Sequence, residues 1–237
     1  MNVGDGIQFT SSTWNFEDAA EGFDGHIARS VPQVEEQRRF VARLSRFFLP
    51  EGALAYELGV STGRLAEQVL AQVEGRALRY VGLDQASAMV QQAAANLAGD
   101  PRFQAEEADV ASYAFEPASL VLSYYTLQFV PAHLRPGLLS RIHAALVPGG
   151  ALVLYEKVMA TDPRVQDLLA QLYVEFKLDH GFSPEEVVNK TRALQGVSDP
   201  RSSGWNQDQL RRAGFGVVEP LFRSHCFEGL LAIKDAP

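Results

Sequence analysis

Glu57, Gly59, Ser61, Gly63 and Asp84 are the residues of this chain whose types and spacing point most directly to chemistry. They stand in Leu54-Ala-Tyr-Glu-Leu-Gly-Val-Ser-Thr-Gly63 and in Gly82-Leu-Asp84. An apolar run from Ala53 leads to the carboxylate of Glu57. Small residues at 59, 61 and 63 then precede the helix-forming run Arg64-Leu-Ala-Glu-Gln-Val-Leu. Small residues there let the backbone approach a ligand closely, as at the first turn of a doubly wound sheet. Asp84 ends the next apolar run, 25 positions after Gly59, where a carboxylate can accept hydrogen bonds from two ribose hydroxyls. Together these residues describe a nucleoside crevice. The pattern is not Gly-x-Gly-x-x-Gly and no Gly-Lys-Ser/Thr follows, so dinucleotide and nucleoside-triphosphate sites both lack their phosphate cradle. Taken alone, the loop also reads as a plain strand-to-helix turn. Asp84 also reads as a helix N-cap ahead of Ser87 or Met89, and Asp109 as a turn residue.

Ser123-Tyr124-Tyr125 closes another strand-like run. A desolvated tyrosine ring face attracts a cation by about 1–2 kcal/mol. Alternation sends neighbouring strand residues to opposite sides, so only one of the two tyrosines is expected to face a site. Tyr173, in Gln-Leu-Tyr-Val-Glu-Phe-Lys, is a third candidate, against plain packing of a helix face. His26, His133, His143, His180 and His225 are scattered without a two-histidine helical spacing, which predicts no metal. His180 as a general base competes with a surface or capping role. There is no Gly-x-Ser-x-Gly elbow, and Cys226 in a strand-like run reads as a buried thiol.

The elements that must hold these residues alternate. Strand-like runs at Ala53–Leu58, Arg79–Leu83, Phe103–Glu106, Leu120–Tyr124, Ala151–Tyr155, Gly216–Phe222 and Cys226–Ile233 are separated by helical spacing, including 66–71, 88–97, 133–146 and 207–212. Such alternation predicts βαβ units and a doubly wound, seven-stranded α/β sheet. Pro148-Gly-Gly150 stops one helix ahead of a strand, and Ala213-Gly-Phe stops another. The helix-rich stretch at about 158–200 predicts an insertion that caps one end. Residues 1–25 are Gly-, Ser- and Asp-rich with Trp14, Phe16 and Phe23 as apolar points, which predicts a lid segment ahead of a single domain over 26–237.

The 237 residues, 46% hydrophobic and 21% charged, can bury one large core. A net charge of −8 and only isolated arginine pairs argue against a nucleic-acid surface. One cysteine fits a reducing compartment, and the chain shows neither a secretory leader nor a membrane-length apolar run. A cytoplasmic protein without membrane or nucleic-acid partners is the expectation.

Glu57-Leu-Gly-Val-Ser-Thr-Gly, Gly82-Leu-Asp, Ala108-Asp-Val, Tyr124-Tyr-Thr-Leu-Gln-Phe and Pro148-Gly-Gly-Ala-Leu-Val-Leu resemble the ordered motifs of class I S-adenosylmethionine (SAM)-dependent methyltransferases across about residues 25–234. Within that superfamily the chain is similar to the carboxy-SAM synthase group, through Arg29-Ser-Val-Pro, Thr126-Leu-Gln-Phe, Glu156-Lys, Phe176-Lys and Ala213-Gly-Phe. The resemblance implies a sheet whose last strand is antiparallel, SAM as cofactor or substrate, no metal, and a homodimer. It places SAM on Gly59, Val60, Ser61, Asp84, Gln85, Asp109 and Val110; Thr62, Gly63, Met89 and Ser123 complete the expected cofactor set. Tyr124, Tyr125 and Tyr173 are the catalytic candidates from their own chemistry and position. The chain departs from the group at three positions: Val34 stands for a tyrosine, Tyr124 for an asparagine, and Thr191 for an arginine that grips a carboxylate. The aligned positions thus offer an incoming carboxylate only a hydroxyl and a methyl pair, and poor carboxy-SAM synthesis is expected. Methyl transfer to a small molecule is the leading expectation. Cyclisation of SAM to azetidine-2-carboxylate with loss of methylthioadenosine, carboxy-SAM synthesis, and non-catalytic SAM binding are the alternatives.

Overall fold

A computed structural model describes residues 1–9 and 13–236. At its centre is β1 (Leu54–Leu58), whose five residues are all buried. Burial on both faces is what a central parallel strand requires, and it explains why this stretch reads as apolar without alternation. Parallel neighbours β2 (Arg79–Asp84) and β4 (Ala118–Tyr124) flank it, with β3 (Phe103–Glu107) beyond β2 and β5 (Leu146–Met159) beyond β4. Helices α3 (Arg64–Gln72), α4 (Ser87–Asn96) and α5 (Arg135–Ala145) make the crossovers.

The sheet order is β3-β2-β1-β4-β5-β8-β7, where β7 is Val217–Ser224 and β8 is Phe227–Ile233. The last strand, β8, runs antiparallel to both β5 and β7. A two-residue strand, β6 (Arg201–Ser202), pairs with the end of β5 and was too short to read from sequence. The strand order reverses between β1 and β4, and ligands of such sheets bind outside the strand ends at that point.

Two structures cover that end. The cap consists of α6 (Pro163–Asp179) and α7 (Pro184–Ala193), each started by a side-chain cap: Asp162 for α6, and a capping box between Ser183 and Glu186 for α7. On the other side, α1 (Phe23–Ser30) and α2 (Val34–Ser45) precede β1, and α1 was not foreseen. Ahead of them, Val3, Ile7, Phe9 and Trp14 pack against Met89 and Ala193 in one apolar cluster. The Trp14 backbone N–H donates to the Ala193 carbonyl at 3.0 Å, tying the N-terminal segment to the cap. Helix α8 (Ser203–Ala213) leads back into β7. No helix among the described residues is long and apolar enough to cross a membrane.

Candidate active site

The turn after β1 is shaped by left-handed residues. Gly59 has φ +69°, and a Cβ there would run into the Thr126 side chain, whose hydroxyl donates to the Leu58 carbonyl at 2.6 Å. Gly82 on β2 plays the matching role, because a Cβ would overlap Val60. The absent side chains let the loop lie against β2, where the Gly59 and Val60 N–H groups both donate to the Leu83 carbonyl. Ser61, at φ +52°, is a non-glycine residue in a region costing roughly 1–2 kcal/mol. Its N–H donates to Asp84 Oδ2 at 2.9 Å, which offsets that cost.

Asp84 Oδ1 accepts from the Ala86 N–H at 3.0 Å. Each carboxylate oxygen holds a second lone pair, so the group keeps acceptor capacity for two further donors. Burial raises its pKa, and the backbone donors from Ala86 and Ser61 oppose the rise. The competing N-cap role belongs to a remote residue. Glu17, from the N-terminal segment, accepts the Ser87 and Ala88 N–H groups at 2.5 and 2.8 Å.

A cavity of about 640 Å³ opens at this rim, a size typical of small-molecule sites. Gly59, Val60, Ser61, Thr62, Asp84, Gln85 and Val110 line it, together with Tyr124, Tyr125 and Tyr173. Four residues from the sequence-based set lie outside its wall. Gly63 is the left-handed N-cap of α3, packed against Leu97 and Ala93, and Met89 is fully buried in the N-terminal cluster. Ser123 is a buried residue within β4. Asp109 is exposed and binds the Ala111 N–H at 2.8 Å, while accepting from Gln85 at 3.2 Å.

Both tyrosines face the cavity, which corrects the expectation that only one would. Strand alternation stops at Tyr124, and Tyr125 turns back with φ +62°. Their hydroxyls converge on one acceptor, Gln37 Oε1, at 3.0 Å from Tyr124 and 2.6 Å from Tyr125. The Gln37 amide is itself fixed by donating to the Pro32 carbonyl at 2.6 Å. Tyr173 donates to the Ser30 carbonyl at 2.8 Å. Phe227 completes the wall, with ring centroids 5.5 Å from Tyr125 and 5.2 Å from Tyr173. Glu57 lies beneath, accepting from Tyr80 at 2.5 Å, and burial pushes its pKa up to about 8.

Sequence reasoning missed Gln37 and Thr126, and it missed Lys157, Lys177 and Lys190, which also line the cavity. Lys157 and Lys177 had a signal, since both stand in motifs shared with the carboxy-SAM synthase group. The lysines correct the expectation that a carboxylate here would meet only a hydroxyl and a methyl pair. Thr191 does line the cavity, but its hydroxyl is turned to the Val187 carbonyl at 2.8 Å. His180 sits exposed at the end of α6, its Nδ1 2.7 Å from the Phe176 carbonyl. No group of three or more candidate metal ligands occurs among the described residues.

Known proteins match this arrangement. Residues 55–150 fit the methyltransferase domain family. A carboxy-S-adenosyl-L-methionine synthase of Pseudomonas putida is 37% identical over 224 residues, covering 92% of this chain and 91% of the relative. The chain belongs to the carboxy-S-adenosyl-L-methionine synthase family, within the class I methyltransferase-like group. A Staphylococcus epidermidis member is 32% identical over 96% of this chain and all of its own length. The family makes the chain a SAM-dependent enzyme of the transferase type. Among solved structures, the CurJ carbon methyltransferase superposes with TM-score 0.67 at 15% identity, over 94% of this chain and 62% of that one. Human N-acetylserotonin methyltransferase in complex with SAM gives 0.63 at 20%, over 95% and 64%. Both likenesses speak to the fold.

Proposed function

We propose that this enzyme binds SAM with its ribose on Asp84 and its sulfonium toward the tyrosine wall, and transfers the methyl group to a small molecule. In-line displacement at an activated sulfonium carbon needs orientation more than acid–base groups. That fits a site whose tyrosine hydroxyls are all committed to Gln37, Val34 and Ser30.

One observation supports this reading over carboxy-SAM synthesis. The Tyr124 hydroxyl, besides Gln37, reaches the backbone carbonyl of Val34 at 3.3 Å. Val34 and Tyr124, two of the positions at which the chain departs from the expected group pattern, therefore lie against each other. A ring from β4 occupies the place beside residue 34, at the end of the cavity where chemistry would occur. On this reading SAM keeps the Gly59–Asp84 rim, and the tyrosine ring shapes the wall facing the reactive carbon.

Carboxy-SAM synthesis is the second reading, favoured by the relatives, which are carboxy-S-adenosyl-L-methionine synthases, and by the lysines in the cavity. Incubation with SAM alone, then with SAM plus prephenate, with mass spectrometry of the products, separates the readings. Methyl transfer predicts neither methylthioadenosine nor a carboxylated SAM. Carboxylated SAM formed with prephenate at about 1 s⁻¹ or faster would establish the second reading. Methylthioadenosine from SAM alone would establish cyclisation. We also propose a homodimer, testable by light scattering.

A further inference from the structure

We propose that Lys157, Lys177 and Lys190 form a carboxylate-binding subsite on the cap side of the cavity, a reading that rests on SAM occupying the same cavity. The three come from β5, α6 and α7 and converge on one wall. Lys157 and Lys177 place their ammonium groups 5.0 and 4.5 Å from the Tyr173 ring centroid. Lys190 lies 5.5 Å from the Trp14 centroid and donates to Ser30 Oγ at 3.1 Å.

None of the three has a carboxylate partner among the described residues, although Arg29, Arg38, Arg64, Arg102 and Arg223 each do. Lys177 is nevertheless only 4% exposed. Gathering buried like charges without a counter-ion is unfavourable, and the chemistry shows it. Burial, then repulsion from Lys157, holds Lys177 down at about 8. Burial, then repulsion from Lys177 and Lys157, holds Lys190 well below the ordinary lysine range.

Nearby acids do not relieve the cluster. The Asp5 carboxylate is engaged by Arg29 at 2.7 Å, and Glu156 is buried with its pKa pushed up to about 8. An anion entering through the cavity would supply the counter-charge that the surrounding side chains do not. A carboxylate fits, since three ammonium donors can share its two oxygens. It has two possible sources: the methionine carboxylate of SAM, or the acid group of a second substrate.

Calorimetry on the full chain distinguishes the sources. S-adenosylhomocysteine carries the carboxylate, whereas 5′-methylthioadenosine has the same nucleoside without it. Lys177→Met and Lys190→Met are expected to weaken S-adenosylhomocysteine about ten- to a hundredfold, the worth of one charge-assisted bond, and to leave methylthioadenosine unchanged if SAM supplies the carboxylate. If a second acid supplies it, S-adenosylhomocysteine binding holds, and prephenate binding to the methylthioadenosine-loaded protein is lost in the variants. Equal binding of all three probes by wild type and variants overturns the proposal while leaving the SAM reading intact. Wild-type protein that binds neither nucleoside overturns both. Methylthioadenosine binding also reports folding. If Lys177→Met loses it, the less buried Lys157→Met is read by the same criteria.

Discussion

Asp84→Asn isolates the carboxylate on which the ribose assignment depends. Two ribose hydroxyls donating to a carboxylate make two charge-assisted bonds of about 1.5–3 kcal/mol each. An amide keeps one neutral acceptor, so the expected loss is about 2–4 kcal/mol, or roughly thirty- to a thousandfold in Kd. A second cost falls on the loop. Asp84 accepts the Ser61 N–H at 2.9 Å and the Ala86 N–H at 3.0 Å, one on each oxygen. The asparagine NH₂ must face one of these donors, which leaves a partly buried N–H unpaired at about 1–3 kcal/mol. Ser61, already left-handed at φ +52°, then loses the contact that offsets its conformation or shares the loss with Ala86. Ligand-free denaturation measures the loop cost, and calorimetry measures affinity. Because the ribose is common to both nucleosides, S-adenosylhomocysteine and methylthioadenosine should weaken by the same factor, unlike in the lysine variants. Unchanged affinity in folded Asp84→Asn would refute the ribose assignment.

Gln37→Leu removes the acceptor shared by Tyr124 and Tyr125 and should lower kcat more than it raises KM, by about tenfold or more if ring placement matters; a pure KM effect argues against a catalytic wall. Hydrogen exchange over residues 13–25 should slow when SAM is added, and Glu17→Ala, which uncaps α4, should reduce that protection. Activity should survive EDTA; loss restored by one added metal ion would contradict the reading of the scattered histidines. Stability should fall as pH rises from 6.5 to 8. Glu57 and Glu156 move from an ordinary 4.5 to about 8, so the folded state keeps protons that the unfolded state has released, at up to about 1.4 kcal/mol per pH unit for each group. His26 acts oppositely, held down at about 2 from 6.5 chiefly by burial, so its contribution is lost as pH falls below 6.5. Lys190 and Lys177, held below their ordinary range chiefly by burial, also oppose the carboxyls as pH rises above their folded values. Urea titrations at pH 5, 6.5 and 8 therefore compare wild type with Glu57→Gln. The variant should lose less stability between pH 6.5 and 8, and an identical slope in the two would contradict the assignment.

The parallel strands were legible because burial on both faces leaves mostly apolar runs of strand length without polar alternation, as at 54–58 and 120–124. The rim of the cavity was legible because its members are local: the Gly59 turn and Asp84 sit at adjacent strand ends, and glycine at a left-handed position leaves a mark in the sequence. Gln37 left no comparable mark. Its partners are 87 and 88 residues away, and in α2 it reads as one more polar residue on a helix. Tyr125 misled the alternation argument because a single left-handed residue, without glycine to announce it, cancels a period-2 inference.

The lysines show why the chemistry was harder to read than the scaffold. Each, taken in its own segment, is an ordinary helix-end or strand-end cation; Lys177 and Lys190 even lie in the last turns of α6 and α7, where positive charge suits the helix dipole. Only the cap brings those two helix ends against the end of β5, and only there does the shortage of acidic partners become visible. Thr191, where the family resemblance implies a carboxylate-gripping arginine, is one residue from Lys190, and adjacent helical residues point about 100° apart. The Lys190 amine therefore lines the cavity from the neighbouring face of the same helix, beside a threonine whose hydroxyl is turned to the helix's own backbone.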